Sequence, residues 1–390
     1  MQLLVITNIY PPQNLGGFGL CMQRLTDGLA GLGYQAHVLT GDQPQLGPSS
    51  TSVDIQRDLQ LLGRYHEGVQ NLQDPAERQR RQEHNLACLN TALSRYQPDA
   101  CLIGNLDLLG KELLDAVLEH DIPTIQHIGF MGSPFPGNWL PINKPFSLAF
   151  ASREVRRLLV QMGLDVADHP IVHPPLQSDQ LPQPAAEGNG SVLRIGFSGL
   201  LMQSKGVHVL LEAASQLKAS GIPFQLSLAG KAFSEDYSQA LQHFCGQAGM
   251  QNQVHWLGFV DPDALSDFYQ SLDVLVFPSL HPESFGMVVA EAMSHGVLPI
   301  SSGVGGAFDV ITHGVDGLLV EPGQSQDLAA KLIWCYQHRD ECRQIKTRAR
   351  RSAQLRFTPI QSATALANRF EQLRQNNKQK ANPNQSLTIF

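Results

Sequence analysis

No stretch of the chain holds the run of about 18 apolar residues needed to span a bilayer. The first residues, Leu3-Leu4-Val5-Ile6-Thr7, lack a basic leader and read as a strand, so no signal peptide is expected. Six cysteines (Cys21, Cys88, Cys101, Cys245, Cys335, Cys342) are scattered without a C-x-x-C pair. They read as reduced, mostly buried thiols, not as a disulfide framework or a zinc site. Charged residues make up only 16% of the chain, and the formal net charge is −7. That balance argues against a general nucleic-acid binder. What remains is an ordinary globular composition, 42% hydrophobic, in 390 residues. That length suffices for two domains, and the expectation is a cytoplasmic enzyme.

Also missing is the G-x-G-x-x-G fingerprint after the first strand. Leu3–Thr7 instead leads into Tyr10-Pro11-Pro12-Gln13-Asn14-Leu15-Gly16-Gly17-Phe18-Gly19 and then a helix with Leu20, Leu25, Leu29 and Leu32. A strand follows at Val38–Thr40. This is a βαβ start whose paired Gly16 and Gly17 let backbone N–H groups approach an anion. A plain strand-to-helix turn would read the same way. Strands are expected at 100–103, 124–127 and 146–151. His127 stands at a strand's carboxyl end, where a lone histidine is more often structural than catalytic. The loop 129–145 holds glycine, proline, Phe130, Phe135 and Trp139, and its length suggests an acceptor pocket. Arg78, Arg80 and Arg81 open a helix. They read as a solvated face or, more sharply, as a contact for a phosphate or an anionic membrane surface. Residues 177–191 are rich in proline and glutamine and read as a linker.

The second half repeats the βα pattern. After the strand 192–198 comes Gly199-Leu200-Leu201-Met202-Gln203-Ser204-Lys205-Gly206 and a helix. A lysine at a helix N-terminus opposes the macrodipole unless an anion sits there. Asp261-Pro262-Asp263 looks like a D-x-D metal site, but a helix cap explains it better. The apolar run Asp273–Phe277 then ends at Pro278-Ser279-Leu280-His281-Pro282-Glu283-Ser284-Phe285-Gly286-Met287-Val288-Val289-Ala290-Glu291. Ser284 is expected to cap a helix there. Such a helix N-terminus at the carboxyl edge of a parallel sheet favours phosphate. Glu283 and Glu291 bracket that helix start and are expected roughly 12 Å apart along its axis, about two turns. That is too far for one metal or one proton, but suits two ends of a long ligand.

This stretch, with Phe277-Pro278-Ser279 before it and Gly296–Ile300 after it, resembles the E-x7-E signature of retaining glycosyltransferases of family 4. Those belong to glycosyl transferases group 1 and have the GT-B fold. The resemblance covers nearly the whole chain in order: the Gly16-Gly17 loop, His127, the Lys205 segment and the two glutamates. It implies an α/β chain of two Rossmann-like βαβ domains facing across a cleft. The domains would be 1–176 and 192–357, joined by the linker 177–191. A helix 358–376 would return to the first domain, before a disordered tail 377–390. It implies a sugar moved from a nucleotide diphosphate sugar to an unknown acceptor, with retention, and without cofactor or metal. By resemblance, His127, Glu283 and Lys205 would be catalytic. Gly16, Gly17, Lys205, Glu283, Phe285, Gly286, Met287, Val288 and Glu291 would bind the donor. Two departures stand out. The family's arginine in its G-R-L-x-x-x-K-G motif is replaced by Leu200, and Asp309 replaces a glutamate and reads as structural. Two alternatives stay open: a binding or regulatory partner with a degenerate donor site, and an epimerase-like enzyme on the same fold. Nothing in the sequence points to nucleic acid. The enzyme is expected in the cytoplasm, with a peripheral membrane contact through the three arginines as the further option.

Overall fold

A computed structural model of the chain describes every residue but 14–15, 50–53, 66–68, 136–138, 186–189, 262–263 and 382–390. The chain divides into two compact units. Unit 1 is Met1–Gln177 with Pro359–Phe390, and unit 2 is Ser178–Thr358.

In unit 1 the elements run β1 (Gln2–Thr7), α1 (Gly17–Gly31), β2 (Gln35–Gly41), β3 (Ile55–Leu59), β4 (Gly63–Tyr65), β5 (Val69–Asn71), α2 (Pro75–Tyr96), β6 (Ala100–Ile103), α3 (Glu112–Glu119), β7 (Thr124–Ile128), β8 (Phe146–Phe150) and α4 (Arg153–Gln161). A six-stranded parallel sheet has the order β3-β2-β1-β6-β7-β8, and β4 and β5 form a separate hairpin. Helices cover both faces, so the central strands are apolar throughout rather than alternating. In β1, Leu3 and Val5 join one core, while Leu4 and Ile6 join another with Leu89 and Leu93 of α2 and Val117 of α3. The chain's last helix packs into the Leu3–Val5 core through Ala363, Leu366 and Phe370. It runs Pro359–Ala381, five residues past the expected end at 376, because Asn377 and Lys378 continue the helix with no glycine or proline to stop it. The rest of the expected tail, 382–390, lies outside the described residues.

In unit 2 the elements are β9 (Leu193–Ser198), α5 (Val207–Ala219), β10 (Phe224–Ala229), α6 (Glu235–Gln247), β11 (Val254–Gly258), α7 (Leu265–Gln270), β12 (Val274–Phe277), α8 (Met287–Ser294), β13 (Leu298–Ser301), α9 (Ala307–Val310), β14 (Leu318–Leu319), α10 (Ser325–Gln337) and α11 (Arg339–Arg356), with α12 being the Pro359–Ala381 helix of unit 1. The sheet is parallel, in the order β11-β10-β9-β12-β13-β14. Part of the expected linker packs on this unit: Ala185 N donates to His295 O at 2.6 Å. The proposed cap at Asp261-Pro262-Asp263 falls partly on residues outside the described set, and α7 itself starts at Leu265.

Counted within its own unit, each sheet has the strand order 3-2-1-4-5-6. The order reverses between β1 and β6 in one unit and between β9 and β12 in the other. Crevices at that reversal, at the carboxyl ends of the strands, are where ligands bind in open α/β sheets. Among the described residues no helix is long and apolar enough to cross a membrane.

Candidate active site

In unit 2 the two loops at the reversal point are joined directly. The loop after β9 carries Ser204 and Lys205, and the loop after β12 carries Ser279 to Gly286. Leu280 N donates to Ser204 O at 2.8 Å, and Ser279 Oγ reaches the same oxygen at 3.2 Å. Gly206 makes this approach feasible. A Cβ there would stand 2.0 Å from Pro278 O, and its φ of +69° belongs to glycine. Lys205 Nζ then meets Glu283 Oε1 at 2.6 Å, and Ser279 Oγ donates to that same oxygen at 2.7 Å. Both side chains are about four-fifths buried. Oε2 of Glu283 makes no hydrogen bond among the described residues and can receive a ligand hydroxyl.

The helix beside this pair starts later than its sequence suggests. Ser284 does not cap it. Gly286, at φ +94°, stands at the N-cap, and no side chain caps α8. Glu283 therefore lies outside the helix, in a loop that bridges to Gly305. The estimate of 12 Å along a shared axis does not apply to the pair. The uncapped start leaves the first backbone N–H groups of α8, at Met287 and Val288, as the unit's natural anion donors. Phe285 contributes backbone only, since its ring is buried edge-on against Phe357, with centroids 5.3 Å apart. Glu291 lies on α8, where Tyr269 Oη donates to its Oε2 at 2.9 Å. Leu200 is 44% exposed, at the same strand edge as the exposed rings of Phe233 and Phe259. Asp309 is buried in α9.

Unit 1 offers a different edge. Gly16 and Gly17 open α1 without a side-chain cap, and Asn14 and Leu15 of the same loop lie outside the described residues. Arg57 of β3 anchors this loop, donating to Tyr10 O at 3.0 Å and Pro11 O at 2.7 Å. Phe18, in the first turn of α1, has its ring centroid 6.1 Å from that of His127. His127 is fully buried, and its Nε2 lies 2.9 Å from Val172 O. The carbonyl can only accept, so Nε2 holds the proton and Nδ1 presents a lone pair, which has no partner among the described residues. Burial pushes the imidazole down to about 4. It is neutral at ordinary pH and can accept a hydrogen bond, but it carries no charge. At the reversal point, Asn8 Nδ2 donates to Asp107 and Tyr65, and Tyr65 Oη donates to Asp107 Oδ1 at 3.2 Å. In the loop 129–145, Phe135 is core and stacks edge-on with Trp139 at 4.9 Å. Positions 136–138 lie outside the described residues. Arg80 and Arg81 both donate to Glu77, and Arg81 also to Leu61 O.

The structure thus brings Lys205 and Glu283 together, and Phe18 with His127. Sequence reasoning gave no role to Ser279, although a serine four residues before Glu283 was visible. Tyr269, 22 residues before Glu291, left no signal. Among the described residues there is no group of three or more His, Cys, Asp or Glu placed to hold a metal ion.

Residues 185–352 match the family model of glycosyl transferases group 1. The group 1 match thus covers most of unit 2, including both loops of the Lys205–Glu283 pair. An uncharacterized glycosyltransferase of Methanocaldococcus jannaschii is 37% identical over 34% of this chain and 33% of that protein. Glycogen synthase of Mycobacterium tuberculosis is 24% identical over 85% of this chain and 84% of that protein. The chain matches only about a third of the length of the first curated relatives. Among solved structures, Anabaena HepE in complex with UDP and glucose superposes with a TM-score of 0.71. That match covers 95% of this chain and 100% of HepE, at 20% identity. At that identity the likeness is one of fold, and the fold is GT-B.

Proposed function

We propose that the protein is a retaining glycosyltransferase that moves a sugar from a nucleotide diphosphate sugar to an acceptor hydroxyl, giving an α-glycosidic bond. The observation that carries this reading is the Lys205–Glu283 pair, locked by Ser279 beside the uncapped start of α8. A diphosphate that departs as the glycosidic bond breaks gathers negative charge. Lys205 Nζ and the amides at Gly286, Met287 and Val288 are fixed donors for that charge, and no reorganisation is needed to meet it. Glu283 Oε2 would take hydroxyls of the donor sugar, while Glu291, steadied by Tyr269, would take the ribose. Gly16 and Gly17 would add backbone donors toward the diphosphate. His127, being neutral, would contribute a hydrogen-bond acceptor through Nδ1. The chemistry assigned to these groups requires no metal. A membrane contact through Arg78, Arg80 and Arg81 would be weak, since Glu77 engages two of the three.

The UDP in the HepE complexes makes a uridine diphosphate sugar the first donor to test. The experiment is a panel of nucleotide sugars with candidate acceptors, read as nucleotide diphosphate release and product anomer by NMR. Acceptor-dependent release with an α product supports the reading, and a β product removes retention from it. One observation favours a second reading. An exposed Leu200 stands where the resemblance expects a phosphate-binding arginine. A binding or regulatory partner would bind nucleotide weakly and turn over nothing with any acceptor.

A further inference from the structure

The helix pair α10–α11 holds two thiols in a setting the transfer reaction does not use. Cys335 lies near the end of α10 and Cys342 in the first turn of α11. Cys342 Sγ donates to the backbone oxygen of Cys335 at 3.7 Å across the bend between the two helices. Both are buried, at 1% and 5% exposure. Arg339, Cys342 and Lys346 recur at three- and four-residue spacing, so they share one face of α11. That face meets Asp273, the residue before β12. Its carboxylate lies 2.8 Å from Arg194 Nη2, 3.7 Å from Arg339 Nη1 and 3.8 Å from Lys346 Nζ. Three cations therefore share one carboxylate. Arg339 Nη2 is buried with no hydrogen-bond partner among the described residues. An excess of positive charge in a largely dry site favours any neighbour able to become negative. The Cys342 thiol is such a neighbour.

We propose that Cys342 is a peroxide-reactive nucleophile with Cys335 as its resolving thiol, so that the α10–α11 junction is a site of reversible disulfide formation. The direction of the thiol acidities agrees. The hydrogen bond from Cys335, with Lys346 and Arg339 alongside, holds Cys342 below the usual thiol range. The same hydrogen bond and burial push Cys335 up. The other cysteines run the opposite way, with burial raising Cys21 to about 12 and Cys245 to about 11. In the first step the Cys342 thiolate attacks hydrogen peroxide. The O–O bond breaks, hydroxide leaves, and the sulfur is oxidised by two electrons to a sulfenic acid. In the second, the Cys335 sulfur attacks the Cys342 sulfur. Hydroxide leaves and takes up the Cys335 proton as water, and the S–S bond forms. The cluster sits at the amino end of β12, and Ser279 and Glu283 follow its carboxyl end, so this site is separate from the sugar-transfer groups.

The test exposes the full chain to dilute hydrogen peroxide, blocks free thiols under denaturing conditions and maps every cysteine by peptide mass spectrometry. The expected result is a Cys335–Cys342 disulfide that forms before any change at the more exposed Cys88 and that reductant reverses. In Cys335→Ser, a dimedone adduct should accumulate on Cys342 instead. Lys346→Gln should slow oxidation about tenfold by removing a neighbouring cation. Arg339→Gln reads the same effect if the buried Lys346 position does not tolerate the change. Oxidation of Cys342 no faster than that of Cys88, or no dimedone adduct in Cys335→Ser, would overturn the proposal.

Discussion

The two units share a strand order yet use its ligand edge differently. In unit 2 the edge is ionic: a lysine and a glutamate meet at 2.6 Å beside an uncapped helix. In unit 1 the groups are a buried neutral histidine and an amide–phenol–carboxylate set at Asn8, Tyr65 and Asp107. The first edge suits a leaving diphosphate, because its donors are fixed and positive. The second presents a buried neutral imidazole and a carboxylate held by an amide and a phenol. The fold sets where a ligand can sit, and the loops set what charge it carries there.

Acid should separate the units most. Burial holds the His127 imidazole down at about 4 against an ordinary 6.5, and His169 in the same unit is also pushed down to about 4 by burial. Between those values the unfolded chain binds more protons than the folded one. The stabilisation is therefore fully present above pH 6.5 and is lost as pH falls toward 4. For His127 alone this reaches about 3 kcal/mol. Hydrogen exchange at pH 7 and pH 4.5 should show protection lost first in β7 and its neighbours, and less so in His127→Gln. Equal loss in β7 and β12 would erase this difference between the units.

Gly286→Ala probes the uncapped helix. An alanine at φ +94° is strained by about 1–2 kcal/mol, which urea unfolding should register, together with weaker nucleotide binding. If the variant is as stable as the parent, the left-handed start of α8 is not required. Leu200→Arg should strengthen nucleotide diphosphate binding by about tenfold, a smaller effect, since one charge-assisted contact is added. The exposed position tolerates the change, so a null result by calorimetry would mean that the existing donors already suffice.

Much of unit 2 was legible because its motifs are local. Lys205 beside a helix start and the proline-bounded loop before Glu283 read directly as anion chemistry. The helix start was misplaced because Ser284 looks like a cap, whereas Gly286 takes the left-handed conformation that begins α8. Unit 1 was harder to read because its groups meet through tertiary contacts. Asn8, Tyr65 and Asp107 are each about 40 to 100 residues apart in sequence. Arg57 reaches the first loop from β3, about 45 residues further along the chain. His127 is buried in β7, between β6 and β8, and its contact with Phe18 is one that no local pattern encodes.

The central claim is that Lys205, held by Glu283, binds a diphosphate. Isothermal titration of uridine diphosphate into the parent and Lys205→Ala, with circular dichroism to verify the fold, tests it most directly. The account predicts a loss of about 10- to 100-fold in affinity with the fold intact. Unchanged affinity in the folded variant would contradict it.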